Sequence, residues 1–244
     1  MPAVLVTGSS RGIGRGIAER FAGDGYDVAV NYRSSEEAAA EVVETVESMG
    51  QTAVAIQADV SVPVAAADLI DRAVAELGGL DHVVNNAGIN QHVFTDELSP
   101  EEFGRMLEVN LTSVFTVTKA AVPHLRESAD DPGPSITNLA SILAFTGAAH
   151  EPHYAAAKGG VVSLTRSHAD EFAPAIRVNA LAPGFIVTDM TDYLTPEEEE
   201  RKRGKIPLDR FGHPEDVADA AAFLRDAGFV TGEVLHVNGG ELMQ

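Results

Sequence analysis

Short apolar, β-branched runs alternate along the chain with longer segments in which apolar residues recur every three or four positions. The short runs predict strands at residues 3–7, 27–32, 52–57, 81–86, 135–141, 175–182 and 233–238. The longer segments predict helices near residues 12–22, 35–49, 63–77, 100–126, 154–171 and 214–225. Capping sequences such as "SPEE" and "HPED" precede several of them. This alternation predicts an α/β fold: a mostly parallel, seven-stranded sheet with helices on both faces.

Length and composition limit the classes of protein that fit. The 244 residues contain no repeat and no linker that would divide them, so we expect one domain over residues 1–244. Cysteine is absent, which excludes disulfides, thiolate metal sites and a thiol nucleophile. The start, "MPAVLVTGSS", has no basic leader and no run long enough to span a bilayer. We therefore expect a cytoplasmic protein with no membrane partner.

Charge is the unusual feature of the composition. The chain has 37 Asp and Glu against 17 Lys and Arg, a net charge of −20, and only four of the basic residues are lysine. Because binding to phosphate backbones needs a cationic surface, nucleic acids and anionic membranes are disfavoured as partners. An acidic, lysine-poor surface fits adaptation to concentrated salt, but also an ordinary acidic cytosolic enzyme, and both interpretations stay open.

The first strand is followed by a glycine-rich turn. "VTGSSRGIG" places Gly8, Gly12 and Gly14 between this strand and the first helix. Glycines there let the backbone approach a pyrophosphate, and the helix N-terminus offers free N–H groups. Glycine in a tight turn can also be purely steric, but the strand before and the helix after favour a Rossmann-type, doubly wound dinucleotide-binding fold.

The end of the second strand indicates which dinucleotide binds. "NYRS" places Asn31, Arg33 and Ser34 where an NAD site would carry an acidic residue for the ribose 2′-hydroxyl. Asp27 is at the wrong end of this strand, and Arg11 in the glycine turn adds a second cation. The sequence therefore predicts NADP(H), whereas the alternative is that Arg33 only solvates a loop.

Several motifs occur together in a fixed order. They are "TGSSRGIG" (7–14), "NNAG" (85–88), Asn110 in "VNLTSVF", Ser141, "YAAAK" (154–158) and "PGFIVTDM" (183–190). In order and spacing they resemble the short-chain dehydrogenase/reductases over essentially the whole chain. Within that family the sequence is most similar to the 3-oxoacyl-[acyl-carrier-protein] reductases and acetoacetyl-CoA reductases.

The resemblance implies four catalytic residues. Tyr154 would protonate the carbonyl oxygen, and Ser141 would hydrogen-bond the same oxygen. Lys158, one helical turn on, would bind the nicotinamide ribose, and we expect its charge to lower the pKa of Tyr154. Asn110, inside the long fourth helix, would order a water in a proton relay; the alternative is an amide that only packs the helix.

The resemblance also implies an NADP(H) site formed by the strand-end loops. Its expected residues are Gly8, Ser10, Arg11, Gly12, Ile13, Gly14, Asn31, Arg33, Ser34, Asp59, Val60, Asn86, Ala87, Gly88, Tyr154, Lys158, Pro183, Gly184, Ile186 and Thr188. We expect no metal site: His150 and His153 are interpreted as loop residues that line the entrance.

The substrate is less well defined by the sequence. Residues 190–208 resemble a substrate lid with Thr195 and Pro196 as its start signal, although "EEEERKR" equally fits a solvated helix face. Reductases that dock acyl carrier protein place basic residues near the site, because the carrier is acidic. The corresponding segments here are acidic, with Glu127, Asp130, Asp131, Asp170 and Glu171. This favours slightly a coenzyme A thioester such as acetoacetyl-CoA over a 3-oxoacyl carrier protein.

Three functions remain open from the sequence. The leading one is an NADPH-dependent 3-oxoacyl-thioester reductase of fatty acid or polyhydroxyalkanoate synthesis. The second is a family member that acts on a sugar or another small ketone or alcohol. The third is a non-enzymatic NADP(H) sensor, which the complete catalytic set argues against. Relatives are usually tetramers, and the apolar-edged end "LHVNGGELMQ" favours a homotetramer.

Overall fold

The chain forms one parallel sheet in the computed structural model, which describes residues 1–128, 131–188 and 195–243. The strands in these ranges are β1 Ala3–Val6, β2 Asp27–Tyr32, β3 Ala53–Gln57, β4 His82–Asn85, β5 Ser135–Leu139, β6 Arg177–Pro183 and β7 Val234–Val237. Their order is β3-β2-β1-β4-β5-β6-β7, and each neighbouring pair is parallel. The predicted fold class is therefore confirmed.

Helices connect the strands. They are α1 Gly12–Gly23, α2 Glu36–Ser48, α3 Pro63–Leu77, α4 Pro100–Leu107, α5 Ser113–Leu125, α6 Leu143–Thr146, α7 Pro152–Phe172, α8 Pro196–Arg203 and α9 Pro214–Asp226. The helix predicted over 100–126 is two helices joined by the π-helical turn Glu108–Thr112, and the short α6 was not predicted. Across the described ranges, none of these helices has the length and apolar character needed to cross a membrane.

The core is divided between the two faces of the sheet. Val4 and Val6 point to one face and pack with residues of α1, α2 and α9, among them Phe21. Leu5 points to the other face and packs with residues of α3, α5 and α7, among them Leu69. Side chains alternate between faces along a strand, so a strand covered by helices on both sides is apolar at most positions, and the polar residues it carries need buried hydrogen-bond partners.

A buried polar network connects the middle strands with their helices. The Nδ2 of Asn85 donates to Asn138 Oδ1 at 2.8 Å and to Thr118 Oγ1 at 3.2 Å. The Nδ2 of Asn138 donates to Thr165 Oγ1 at 2.9 Å. These four residues belong to β4, β5, α5 and α7, so the network holds α7 in register with the end of β5.

Replacing Asn138 with Ala should destabilise the fold strongly. The change removes one hydrogen-bond partner from Asn85 and one from Thr165, both of which are buried. We therefore expect the free energy of unfolding to fall by about 2–4 kcal/mol. Urea unfolding measures the change. Thr116→Ala, which removes one hydrogen bond on the surface of α5, is the matched control, with a loss of about 0.5 kcal/mol. Equal losses in the two variants would show that the network contributes little.

Candidate active site

A cavity of ≈ 720 Å³ opens beyond the carboxyl ends of the strands. Loops that follow β1, β2, β3, β4, β5 and β6 contribute to its wall. It contains the point where the strand order reverses between β1 and β4, which is where open α/β sheets bind ligands. Every site residue that the sequence suggested lines this cavity, with the exception of Gly14.

The glycine turn is shaped for close approach of backbone. Gly8 and Gly12 have φ of +62° and +57°, in the left-handed region that disfavours other residues. A Cβ on Gly14 would lie 2.5 Å from Asn86 Nδ2, so Gly14 packs α1 against the loop after β4 rather than facing the cavity. The first turn of α1 carries no acidic side chain. Its free N–H groups therefore fit a phosphate.

Asn31 connects the turns at the adenosine-side end of the cavity. Its Oδ1 accepts from the Gly8 N–H at 3.1 Å, and its Nδ2 donates to the carbonyls of Ile56 and Ala58, each at 3.2 Å. The side chain of Arg33, two residues on, is exposed at the edge of the cavity. Asn31 thus stabilises the loops at this end of the cavity. Arg33 is a cation that a ligand can reach.

Asp59 completes this end of the cavity. Burial acts to raise the pKa of its carboxyl group, but hydrogen bonds from Ser61 and the charges of Arg105 and Arg33 lower it. Its Oδ1 accepts from the Ser61 hydroxyl at 2.6 Å, and Arg105 lies 3.5 Å from its Oδ2. The carboxylate therefore stays ionised as a hydrogen-bond acceptor. Arg105, on α4, was not suggested by the sequence.

Tyr154, Lys158 and Ser141 meet where α7 passes the end of β5. Tyr154 and Lys158 are one turn apart on α7, with the Lys158 Nζ 5.6 Å from the centre of the Tyr154 ring. The Lys158 ammonium donates to the Leu139 carbonyl at 2.6 Å, which ties the helix to the strand. Ser141, two residues after Leu139, hydrogen-bonds the Tyr154 hydroxyl. The arrangement can present one phenol proton to an oxygen in the cavity.

The protonation of this group differs from our expectation. Burial and, to a smaller extent, the Glu151 charge raise the pKa of Tyr154 to about 12, although the Ser141 hydrogen bond acts to lower it. Burial also lowers the pKa of Lys158 to about 8. The expected lowering of the Tyr154 pKa by Lys158 is therefore wrong for the protein alone, because loss of water on burial is the largest influence on this pKa and Lys158 is not among the groups that shift it. The phenol is a stable proton donor at neutral pH.

Asn110 lies in the π-helical turn Glu108–Thr112, not within a regular helix. Its Nδ2 donates to the carbonyls of Ile89 and Met106 at 3.0 and 3.1 Å, and its Oδ1 accepts from the Ile89 N–H at 3.3 Å. A Cβ on Gly88 would lie 2.6 Å from that Oδ1. Asn110 therefore fixes the loop after β4 against the π-helical turn. It also lines the cavity.

Neither histidine is among the residues that line the cavity; His150 is a loop residue as predicted, whereas the prediction is wrong for His153, which lies in α7. His150 is exposed in the loop, with its ring centre 3.9 Å from that of Phe94. His153 is fully buried in the first turn of α7, and burial lowers its pKa. The physical reason is that α7 begins at Pro152, two residues earlier than predicted, which turns His153 toward the protein interior.

The acidic segments that we placed near the site are elsewhere. Glu127 and Asp131 precede β5, and Asp170 and Glu171 end α7, so all four lie toward the amino-terminal edge of the sheet. None of them lines the cavity. The interpretation is wrong because α5 and α7 run back from the carboxyl edge, and their last turns reach the opposite edge. Asp130 lies outside the described residues.

The segment proposed as a lid is described from Thr195 onward, and residues 190–194 lie outside the described ranges. The start signal is confirmed, because Thr195 Oγ1 accepts from the Glu198 N–H at 3.3 Å and Glu198 Oε2 accepts from the Thr195 N–H at 3.0 Å. Lys202 near the end of α8 and Lys205 just beyond it line the cavity. The segment thus contributes to the site.

Sequence reasoning missed the polar residues of the substrate side. Glu151 is buried, with its carboxylate 3.0 Å from Asn90 Nδ2 and 3.4 Å from His92 Nδ1, and all three residues line the cavity. Lys202 and Lys205 fell within the predicted lid over residues 190–208, but neither was singled out as a site residue. The scarcity of lysine is the signal that points to them, because three of the chain's four lysines line this cavity.

Comparison with known proteins decides the family. Residues 8–241 match a family model described as enoyl-(acyl carrier protein) reductase. Relatives with full-length similarity agree: the chain is 42% identical over 244 residues to a 3-oxoacyl-[acyl-carrier-protein] reductase, FabG, of Staphylococcus aureus, covering 99% of this chain and 98% of that one. The chain belongs to the short-chain dehydrogenase/reductase family. It is an oxidoreductase.

Other members of the short-chain dehydrogenase/reductase family are equally similar. A 3beta-hydroxysteroid dehydrogenase 1 of Eggerthella lenta is 43% identical over 242 residues, covering 97% of this chain and 92% of that one. A short chain dehydrogenase from Burkholderia cenocepacia, solved in complex with NADP, superposes with a TM-score of 0.92 at 36% identity, covering 98% of this chain and 97% of that one. Substrates thus differ among relatives of similar identity.

Replacing Glu151 with Gln should favour alcohol oxidation, the direction in which Tyr154 must accept a proton. The Glu151 charge holds the Tyr154 pKa up, so its loss raises the ionised fraction at any pH below about 12. We expect oxidation at pH 9 to rise about 2–5-fold, because a less basic phenolate offsets part of the gain. Initial rates measure this, with Glu44→Gln on the exposed face of α2 as control. An unchanged or lower rate would contradict it.

Proposed function

We propose that the protein reduces a 3-oxoacyl thioester to the 3-hydroxyacyl thioester with NADPH. The observation that carries the proposal is the Tyr154 phenol, kept protonated by burial and placed with Ser141 and Lys158 on the wall of the cavity. The full-length similarity to 3-oxoacyl-[acyl-carrier-protein] reductases supports this class of substrate. The second candidate is oxidation or reduction of another alcohol or ketone, supported by the 43% identity to a hydroxysteroid dehydrogenase.

The residues of the cavity fit NADP(H). The N-terminus of α1 and the turn at Gly8 and Gly12 would hold the pyrophosphate, where a Cβ on Gly8 would lie only 3.0 Å from Ala87. Arg11 and Arg33 would bind the 2′-phosphate of NADP(H). An NAD site carries an acidic residue at this position, which binds the ribose 2′-hydroxyl. Thr188, whose Cγ2 lies 3.5 Å from a Cβ built on Gly12, would close the other side. Bound NADPH supplies the hydride to the carbonyl carbon.

The chain's own groups handle the proton and the charge on the carbonyl oxygen. Tyr154 donates its phenol proton to that oxygen, and Ser141 donates a hydrogen bond to it. Lys158, held by the Leu139 carbonyl, supplies a nearby positive charge that stabilises the phenolate left behind. Asn110 acts as a positioning residue through its bonds to Ile89.

The acyl group can be carried on coenzyme A or on acyl carrier protein in this proposal. The repulsion that favoured acetoacetyl-CoA is not supported at the cavity, because the four of these acidic residues that the structure describes, Glu127, Asp131, Asp170 and Glu171, lie toward the other edge of the sheet. The relatives' names favour acyl carrier protein. The proposal therefore covers both thioesters, and the cytoplasmic location, the homotetramer, the polyhydroxyalkanoate role and the adaptation to salt stay predictions.

An NADPH oxidation assay tests the proposed function. Acetoacetyl-CoA, a 3-oxoacyl carrier protein, plain ketones and a 3-oxosteroid are offered at low and high KCl, and we expect the thioesters to be reduced with the highest kcat/KM. Tyr154→Phe should lower kcat by about 100-fold or more and leave NADPH binding unchanged, since only the proton donor is lost. A wild-type protein that binds NADPH but reduces none of these compounds would contradict the proposed substrate class.

Replacing Arg33 with Ala should reduce the preference for NADPH over NADH. Arg33 is the exposed cation at the end of β2, and a charge-assisted contact with the 2′-phosphate contributes about 1.5–3 kcal/mol, so we expect the ratio of kcat/KM values to fall about 10–100-fold. Steady-state kinetics with both cofactors give the ratio. Arg72→Ala, on the exposed side of α3, controls for the lost charge; an equal loss with both cofactors would assign Arg33 to the loop alone.

A further inference from the structure

The lysines of this chain are concentrated at the cavity. There are four lysines in a protein of net charge −20, and Lys158, Lys202 and Lys205 line the cavity. Lys119 is the fourth, exposed on α5 and outside the lining. Lys158 belongs to the reaction centre, so the role of the other two needs an explanation.

Lys202 and Lys205 lie on the far side of the reaction centre from Arg33. The Lys202 Nζ is 4.6 Å from the centre of the Phe185 ring, just after β6. Arg33 follows β2, and in the sheet β2 and β6 are four strand spacings apart, about 19 Å. Ser141, at the reaction centre, follows β5. A single dinucleotide phosphate at Arg33 therefore does not account for the cations at Lys202 and Lys205.

The two ammonium groups are incompletely neutralised by the protein. Within the residues that the structure describes, neither forms an ion pair with a carboxylate at 4 Å or less. The acidic groups that feel their charge are Glu198, which feels Lys202, and Glu241, which feels both lysines and also lines the cavity. Burial raises the pKa of Glu241, the charges of Lys202 and Lys205 lower it, and its Oε2 accepts no hydrogen bond within the described ranges. The cations thus keep capacity for an external anion.

We propose that Lys202 and Lys205 bind the phosphate of the 4′-phosphopantetheine arm that carries the acyl group. This inference rests on the proposed function and deepens it. The arm is common to coenzyme A and acyl carrier protein, so one site serves both carriers. Two ammonium groups on one cavity wall, both close enough to act on Glu241, suit a phosphate, because charge-assisted hydrogen bonds are the strong ones.

The position of Glu151 argues for an anion remote from the carbonyl. Glu151 is buried on the cavity wall three residues before Tyr154, so it repels a carboxylate placed next to the reacting carbon. A free 3-oxo acid would bring such a carboxylate to this point, whereas a thioester is neutral there and carries its phosphate at the far end of the arm. The charges thus orient the substrate with its carbonyl toward Tyr154.

The test uses thioesters that differ in the phosphate. Acetoacetyl-CoA, acetoacetyl-4′-phosphopantetheine, an acetoacetyl carrier protein and acetoacetyl-N-acetylcysteamine share the reacting group, and only the last lacks the phosphate. In the Lys202→Gln, Lys205→Gln double variant we expect KM for the three phosphorylated substrates to rise about tenfold at unchanged kcat. The kcat/KM for the N-acetylcysteamine thioester and the KM for NADPH should stay the same.

Lys119→Gln is the matched control, because it removes one ammonium group outside the cavity. Added KCl should raise KM for the phosphorylated substrates in the wild type and have less effect in the double variant. Thermal melting checks that the variants fold.

Four results would overturn the inference. If the double variant loses activity equally with the neutral thioester, the lysines act on the fold of this segment. If KM for NADPH rises instead, they belong to the cofactor site. If the wild type reduces all four thioesters with the same kcat/KM, no phosphate site exists, although the proposed reductase activity stands; a wild type that reduces none of them overturns both.

Discussion

The hydrogen bond from the Lys158 ammonium to the Leu139 carbonyl, 2.6 Å long, joins α7 to the carboxyl end of β5. The rest of the site depends on it, because it sets the height of α7 above the sheet. Tyr154 then lies one turn back along the helix, and Ser141 two residues beyond the strand. The hydrogen bond from Asn138 to Thr165 is a second connection between the same strand and helix, one residue before Leu139 in β5 and seven residues after Lys158 in α7. The reacting groups are thus held by two buried contacts between the same pair of elements.

Burial of these groups has opposite effects on the two members of the pair. It raises the pKa of Tyr154 to about 12 and lowers that of Lys158 to about 8, because both the phenolate and the ammonium lose water. The combination of a neutral phenol and a charged lysine is still the one present at neutral pH. That combination suits proton donation to a carbonyl, and Glu151 reinforces it by opposing the phenolate.

The sequence predicted what depends on local pattern and missed what depends on contacts between distant segments. Short apolar runs located all seven strands, since a strand buried on both faces is apolar at most positions. The π-helical turn at Asn110 escaped prediction because its geometry goes with bonds to Ile89, 21 residues earlier. The burial of His153 depends on where α7 starts, which the sequence placed two residues too late. The acidic segments were misplaced because the sequence distance from Tyr154 does not show at which edge of the sheet a helix ends.

The groups that touch the carbonyl cannot by themselves select the substrate. A hydroxysteroid dehydrogenase and a 3-oxoacyl-[acyl-carrier-protein] reductase are 43% and 42% identical to this chain, and a shared scaffold supports many substrates. Selection must come from the rest of the cavity wall, where Glu151, Phe185 and Lys202 lie. The protein as a whole is strongly acidic, so the lysines on that wall make one end of the cavity positively charged, in contrast to the outer surface. A long substrate with a neutral reacting end and an anionic far end matches that polarity, and a steroid, with no anionic group, does not use it.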